Sequence, residues 1–207
     1  MSKEKTSEIW NTHYSREKSK LTFPDENLVR VLSKLPIQSG KALDFGAGSG
    51  RHSYLLKSRG WEVTALDYAE KSLDQIKEID KEIHLVHSTN PPYPFSDNEF
   101  DLIVNWGVLH YNSHENILKI ISEFKRILKP NGIVTGTLRS DSDTHLSVKN
   151  GKIQIEDLKS ADVSLFSLED LKEYFKDFKN LQIGYMERTP IGNLEQRICH
   201  WIYMAEK

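Results

Sequence analysis

Between residues 41 and 138 the chain repeats one rhythm. Short apolar runs at 41–45, 62–66, 83–87, 102–105 and 133–138 alternate with amphipathic stretches at 54–59, 69–78 and 117–128. Runs this short suit buried strands, and the stretches between them carry helical spacing. Parallel neighbours need a crossover between them, so the alternation predicts a parallel sheet with helices on both faces. "LKPNG" reads as the stop and turn ahead of the fifth strand.

The last third changes character. "SLEDLKEYF" places Ser167 three residues before Asp170, a capping box with Asp in place of Glu, and opens a helix. Two further runs, 181–187 and 199–205, are joined by "RTPIGNLEQRI", too short for a crossover helix, so they form an antiparallel pair. The predicted fold is α/β, a doubly wound, seven-stranded, mostly parallel sheet with a terminal antiparallel pair. That differs from the six-stranded dinucleotide fold. Residues 1–40 are expected as an N-terminal helical cap on the main domain, 41–207. In the cap, Ile9, Trp10, His13 and Tyr14 form one stripe, and Leu28, Val31, Leu32 and Leu35 a second, started by Asp25. A polar insertion at about 140–165, with a hairpin at Asn150-Gly151, is expected on the acceptor side.

With 207 residues, 38% apolar and 10% aromatic, the chain suits one domain with a sizeable core. A net charge of -2 gives no electrostatic pull toward nucleic acid. No apolar run approaches the roughly 18 residues of a membrane span. The N-terminus lacks the apolar centre of a signal peptide, and Cys199 is the single cysteine, which excludes an internal disulfide and a Cys-rich metal site. A cytoplasmic setting is expected, without membrane or nucleic acid, as a monomer or homodimer.

The loop after the first run decides the ligand. In "ALDFGAGSGRHSYLLKSRGWEVTALD" an acid, Asp44, precedes alternating glycines, and a second acid, Asp67, ends the next run. Glycines let the chain turn sharply and a ligand approach the backbone. A dinucleotide fingerprint needs a small residue three after Gly48, where Arg51 stands instead. Asp44 would also repel pyrophosphate, whereas it suits a ligand bearing an ammonium group. The loop therefore favours S-adenosylmethionine. Asp67 suits two ribose hydroxyls in either cofactor class and does not discriminate.

Residues 41–138 resemble the core of the class I S-adenosylmethionine-dependent methyltransferases. "ALDFGAGSG" is similar to their first motif, "VTALD" to the second-strand acid, "PFSDNEFDLIVNWGVLHY" to the fourth-strand motif, and "LKPNGIVTGT" to the segment entering strand five. "GSGRHSYLLKSRGWEVTALD" is similar to small bacterial members that include tellurite-resistance methyltransferases. The resemblance implies that Gly46, Ala47 and Gly48 run past the methionine part of the cofactor, with Asp44 organising the loop. It further implies that Asp67 holds the ribose, Tyr68 packs on adenine, Ser88 or Thr89 stands where the family often carries an adenine-binding acid, and Asn105 lies beneath the cofactor.

Methyl transfer from a sulfonium needs alignment first, and a base only when the acceptor must lose a proton. His110 is the candidate base, or else a packed core ring; His114 is a weaker one. Tyr14 is a candidate catalytic hydroxyl if its helix closes as a lid, or else part of a packed aromatic stripe. Trp10, Trp106, Tyr111 and Arg139 are the candidate acceptor-binding residues, and Arg51 either reaches a carboxylate or stays solvated. No metal is expected: His110 and His114 have helical spacing without an acid between them, and His84 and His87 would face opposite ways in a strand. The expected acceptor is a small molecule. The alternatives are tRNA or protein, a nicotinamide-dependent oxidoreductase, or a non-catalytic S-adenosylmethionine-binding protein.

Overall fold

The computed structural model describes residues 3–146 and 163–207. Helices α1 (Lys3–Tyr14) and α2 (Glu26–Leu32) precede β1 (Gly40–Phe45), α3 (Arg51–Ser58), β2 (Trp61–Asp67), α4 (Glu70–Ile79), β3 (His84–His87) and β4 (Phe100–Asn105). Then come α5 (His114–Ile127), β5 (Leu128–Arg139), α6 (Leu168–Tyr174), β6 (Lys179–Arg188) and β7 (Ile198–Glu206).

The strands form one sheet in the order β3-β2-β1-β4-β5-β7-β6. β1 to β5 pair in parallel, and β7 pairs antiparallel with both β5 and β6. The expected seven strands and terminal antiparallel pair are therefore present. Strand order reverses at β1 and β4, so the crevice at their carboxyl ends is where a ligand of such a sheet binds.

One apolar layer packs on each face. On one, α5 buries Ile117, Ile120, Ile121, Phe124 and Ile127, a helical stripe, against Phe45, Ile103 and Val134. Phe124 meets Phe45 edge to face at 4.9 Å. Each such side chain contributes about 1.5–3 kcal/mol on burial. On the other face Leu28, Leu32, Leu56, Leu73 and Ile76 of α2, α3 and α4 cover Ala42, Val63 and Leu102. Asp25 caps α2 by accepting from the Asn27 amide at 2.9 Å, and the Ser167–Asp170 capping box forms at α6.

Two local expectations are corrected. "LKPNG" does not separate helix from strand: β5 begins directly at Leu128, paired with Phe100. Its Pro-Asn-Gly then forms an irregularity inside the strand, with Asn131 at φ 64. The Lys129 ammonium, 2.7 Å from Asp101, anchors that bend. His110 and His114 do not share a helix face, because His110 lies in a short 3-10 turn, Leu109–Tyr111, while His114 opens α5. The Asn150-Gly151 hairpin lies outside the described residues, as does most of the expected 140–165 insertion.

Candidate functional site

β1 delivers its chain into the crevice with Gly46 at φ 73 and Gly48 at φ 55, a backbone conformation that disfavours side chains. Space is equally restrictive. A Cβ on Gly46 would stand 2.5 Å from Val108 Cγ2, and one on Gly48 2.5 Å from the Tyr14 hydroxyl. The amides of Gly46 and Ala47 donate to the Leu66 carbonyl at 2.7 and 3.0 Å, tying the loop to β2.

Two acids flank this loop. Asp44 is 1% exposed, and its Oδ2 accepts from Ser53 Oγ at 2.6 Å. Burial pushes its carboxyl up to about 7; the Ser53 hydrogen bond opposes this, Asp67 adds to it, and Arg51 opposes it. Asp67 ends β2 with Oδ2 accepting from the Gly48 amide and Oδ1 from the Ala69 amide, each at 2.8 Å. Burial raises this carboxyl too, against those amides.

α1 lies over the crevice. The Gln75 amide of α4 donates to the Tyr14 carbonyl at 2.7 Å, and the Trp10 ring meets Tyr111 at 4.8 Å. Burial raises the Tyr14 hydroxyl well above the usual phenol range, with Asp67 adding to the effect. What remains open is a cavity of about 70 Å³, lined by Trp10, Tyr14, Gly46, Asp67, Tyr68, Trp106 and Tyr111 among others. Of the expected cofactor residues, Gly46, Asp67 and Tyr68 line this one cavity, while the Gly48 amide is bound to Asp67 and that of Ala47 to Leu66. Ser88 follows β3, its amide donating to the Asp67 carbonyl, and the Thr89 hydroxyl accepts from Asn90.

Asn105 ends β4, as expected. It is fully buried within the sheet, its Oδ1 accepting from the Tyr203 hydroxyl at 2.6 Å and its Nδ2 donating to the Thr135 carbonyl at 3.2 Å. The same amide occupies the space where a side chain at Gly136 would stand. Arg51 directs Nη1 toward the Phe23 carbonyl at 3.4 Å, so it joins α3 to the segment before α2. His114 pairs with the Tyr174 hydroxyl, away from the crevice.

Beside the cavity, His110 and Arg139 meet two residues that the sequence reading did not single out. His200 stands opposite Arg139 in the β5–β7 register, with Arg139 Nη1 3.2 Å from its Nε2. Asp143 Oδ2 lies 2.6 Å from Arg139 Nε. Burial, then the neighbouring His200 and Arg139, hold the His110 imidazole well below the usual range. Burial and Arg139 lower that of His200 to about 4. Both rings are therefore neutral at pH 7. Ser53 and Val108 were likewise not anticipated. The antiparallel pairing was the one available signal for His200; nothing local in the sequence marks Ser53 or Val108.

The residues present fit S-adenosylmethionine. A buried carboxylate with one hydroxyl partner suits an ammonium, a carboxylate fixed by loop amides suits a diol, and two glycines admit a ligand against the backbone. When bound, the cofactor supplies an activated methyl group.

Residues 42–132 match the family described as a methyltransferase domain. The chain is 32% identical over 134 residues to a demethylmenaquinone methyltransferase of Staphylococcus haemolyticus, covering 60% of this chain and 55% of the relative. It is 31% identical over 114 residues to phosphoethanolamine N-methyltransferase 1 of Triticum aestivum, covering 52% of this chain and 23% of that one. The chain thus spans about half the length of the first relative and less of the second. In fold it is similar to TehB from Haemophilus influenzae, with a TM-score of 0.68 at 21% identity, covering 92% of this chain and 65% of that one.

Proposed function

We propose that this chain, whose residues 42–132 match a methyltransferase domain, is a class I S-adenosylmethionine-dependent methyltransferase that transfers the methyl group to a small-molecule acceptor. The carrying observation is the pair Asp44 and Asp67 on either side of a glycine loop at the switch point of the sheet. Two relatives name small molecules, demethylmenaquinone and phosphoethanolamine, and the chain's charge of -2 offers no pull on a nucleic acid.

In this reading Asp67 holds the ribose hydroxyls and Asp44, through the loop, the ammonium. Tyr68 lies against the adenine, and Ser88 and Thr89 stand near its edge. Gly46, Ala47 and Gly48 form the floor. α1 caps the crevice with Trp10 and Tyr14 and excludes water, while Trp106 and Tyr111 wall the methyl-transfer side. His110 accepts the proton where the acceptor must lose one. Positioning of this kind lowers a displacement barrier by several kcal/mol. Among the described residues no helix is long and apolar enough to cross a membrane, and a cytoplasmic setting fits this reading.

Incubating the protein with methyl-labelled S-adenosylmethionine and fractions of a cell extract tests the acceptor class. Label is expected in the small-molecule fraction; label in the RNA or protein fraction instead would overturn it.

A further inference from the structure

Next to the cofactor crevice, at the carboxyl end of the sheet, four polar side chains meet, three of them buried and the fourth, His200, half-buried. His110 comes from the turn after β4 and lies 1% exposed, with its ring 4.3 Å from Tyr111, which lines the cavity. Arg139 ends β5 at 6% exposed, Asp143 follows it at 7%, and His200 faces Arg139 from β7. The His110 and His200 rings meet edge to face, with their centroids 5.8 Å apart.

A census of donors and acceptors shows what this cluster lacks. Both Asp143 oxygens are engaged: Oδ1 accepts from the Leu146 amide at 3.0 Å, and Oδ2 from the Cys199 amide at 2.9 Å beside the Arg139 ion pair. Arg139 Nη1 meets His200 Nε2, and since a guanidinium only donates, that nitrogen accepts and His200 carries its proton on Nδ1. His200 Nδ1, Arg139 Nη2 and His110 Nδ1 are then buried with no hydrogen-bond partner among the described residues, and Arg139 Nε has only its ion pair with Asp143. Buried polar atoms left so are costly, each by about 1–3 kcal/mol, and call for an explanation.

Charge decides what would complete them. Asp143 already balances Arg139, and both imidazoles are neutral, so no surplus positive charge awaits an anion. An anionic group would instead face the buried Asp143 carboxylate. Two donors require a lone-pair oxygen, and a neutral imidazole, a weak base, suits only an acidified hydroxyl such as a phenol or enol.

We propose that His110, Arg139 and His200 form the acceptor-holding site of the methyltransferase, taking an uncharged acceptor whose phenolic or enolic hydroxyl is flanked by a carbonyl oxygen. The inference rests on the methyltransferase reading above. Arg139 Nη2 and His200 Nδ1 donate to the carbonyl, and His110, protonated on Nε2, receives the hydroxyl proton on Nδ1. As the acceptor oxygen bonds to the methyl carbon, the carbon–sulfur bond breaks and its electron pair stays on sulfur. The sulfonium charge is thereby replaced by that of the imidazolium.

Calorimetry on the protein saturated with S-adenosylhomocysteine tests this with salicylamide, an uncharged phenol beside a carbonyl, and salicylate, its anionic counterpart. Salicylamide is expected to bind at least about tenfold more tightly than salicylate. His200→Ala and His110→Ala are each expected to weaken salicylamide about fivefold or more while leaving the product cofactor's affinity intact, which also reports correct folding. His200→Gln, which keeps a donor, is expected to recover part of the loss. Equal or tighter binding of salicylate, no binding of salicylamide, or unchanged affinity in both alanine variants would overturn the assignment. Failure of S-adenosylhomocysteine itself to bind would overturn the methyltransferase reading, and this inference with it.

Discussion

Asp67 Oδ2 accepts the Gly48 amide hydrogen at 2.8 Å, so the end of β2 grips the loop that leaves β1. The carboxylate thus has a structural duty as well as its proposed ribose contact. Asp67→Asn keeps the volume but loses the charge. We expect S-adenosylhomocysteine affinity to fall by about ten- to a hundredfold, equivalent to roughly 1.4–2.8 kcal/mol, and the melting temperature to fall with it. Equilibrium binding and thermal unfolding check both.

Gly48 carries two constraints that mutation separates. Gly48→Ala meets a left-handed φ of 55 and a Tyr14 hydroxyl 2.5 Å from its new methyl. The backbone part costs about 1–2 kcal/mol and persists in any background. The Tyr14 part is expected to disappear in Gly48→Ala/Tyr14→Ala, so a double-mutant cycle by denaturant unfolding should show coupling between the two positions.

Asp44 imposes a pH dependence of unusual sign. Its folded carboxyl titrates near 7 rather than 3.8, chiefly by burial, with Ser53, Arg51, Asp67 and Tyr14 facing it. Between those values the unfolded chain has released a proton that the folded one retains, so stability falls as pH rises. The contribution is complete below about 4 and lost by about 7, on the order of 4 kcal/mol in all. Asp44→Asn is expected to flatten that part of the profile, read as the difference between the two proteins' unfolding curves across this range.

The cavity under α1 holds about 70 Å³, whereas sites for ligands of cofactor size run to roughly 300–1,000 Å³. Trp10 and Tyr14 are therefore expected to shift outward to admit the cofactor and then to cap it. Trp10, packed on Tyr111, is expected to change its fluorescence on addition of S-adenosylhomocysteine, and Trp10→Phe to abolish most of that change. An unchanged spectrum on saturation would mean that α1 stays where it is.

The strand–helix rhythm and the glycine loop were legible in sequence because both follow from short-range rules, period and φ. Asp44 and Asp67 were legible for the same reason, each closing an apolar run. Asn105 was legible only as the end of β4; that Tyr203, nearly a hundred residues later, donates to its side chain follows from long-range packing. His200 escaped because its meaning depends on the β5–β7 register, which sets it opposite Arg139. His110 was visible as a candidate, yet its neutral state follows from burial beside Arg139 and His200, a property of packing and not of spacing. Ser53 became meaningful only once α3 was seen to start at Arg51 and point its first turn at Asp44.

In the proposed function the Asp44–Gly48–Asp67 frame holds S-adenosylmethionine. Calorimetric titration of the purified chain with S-adenosylhomocysteine and, separately, with NADH tests it most directly. One equivalent of S-adenosylhomocysteine is expected to bind per chain, weakened in Asp67→Asn, with no comparable heat from NADH. Tighter binding of NADH, or no binding of S-adenosylhomocysteine, would contradict it.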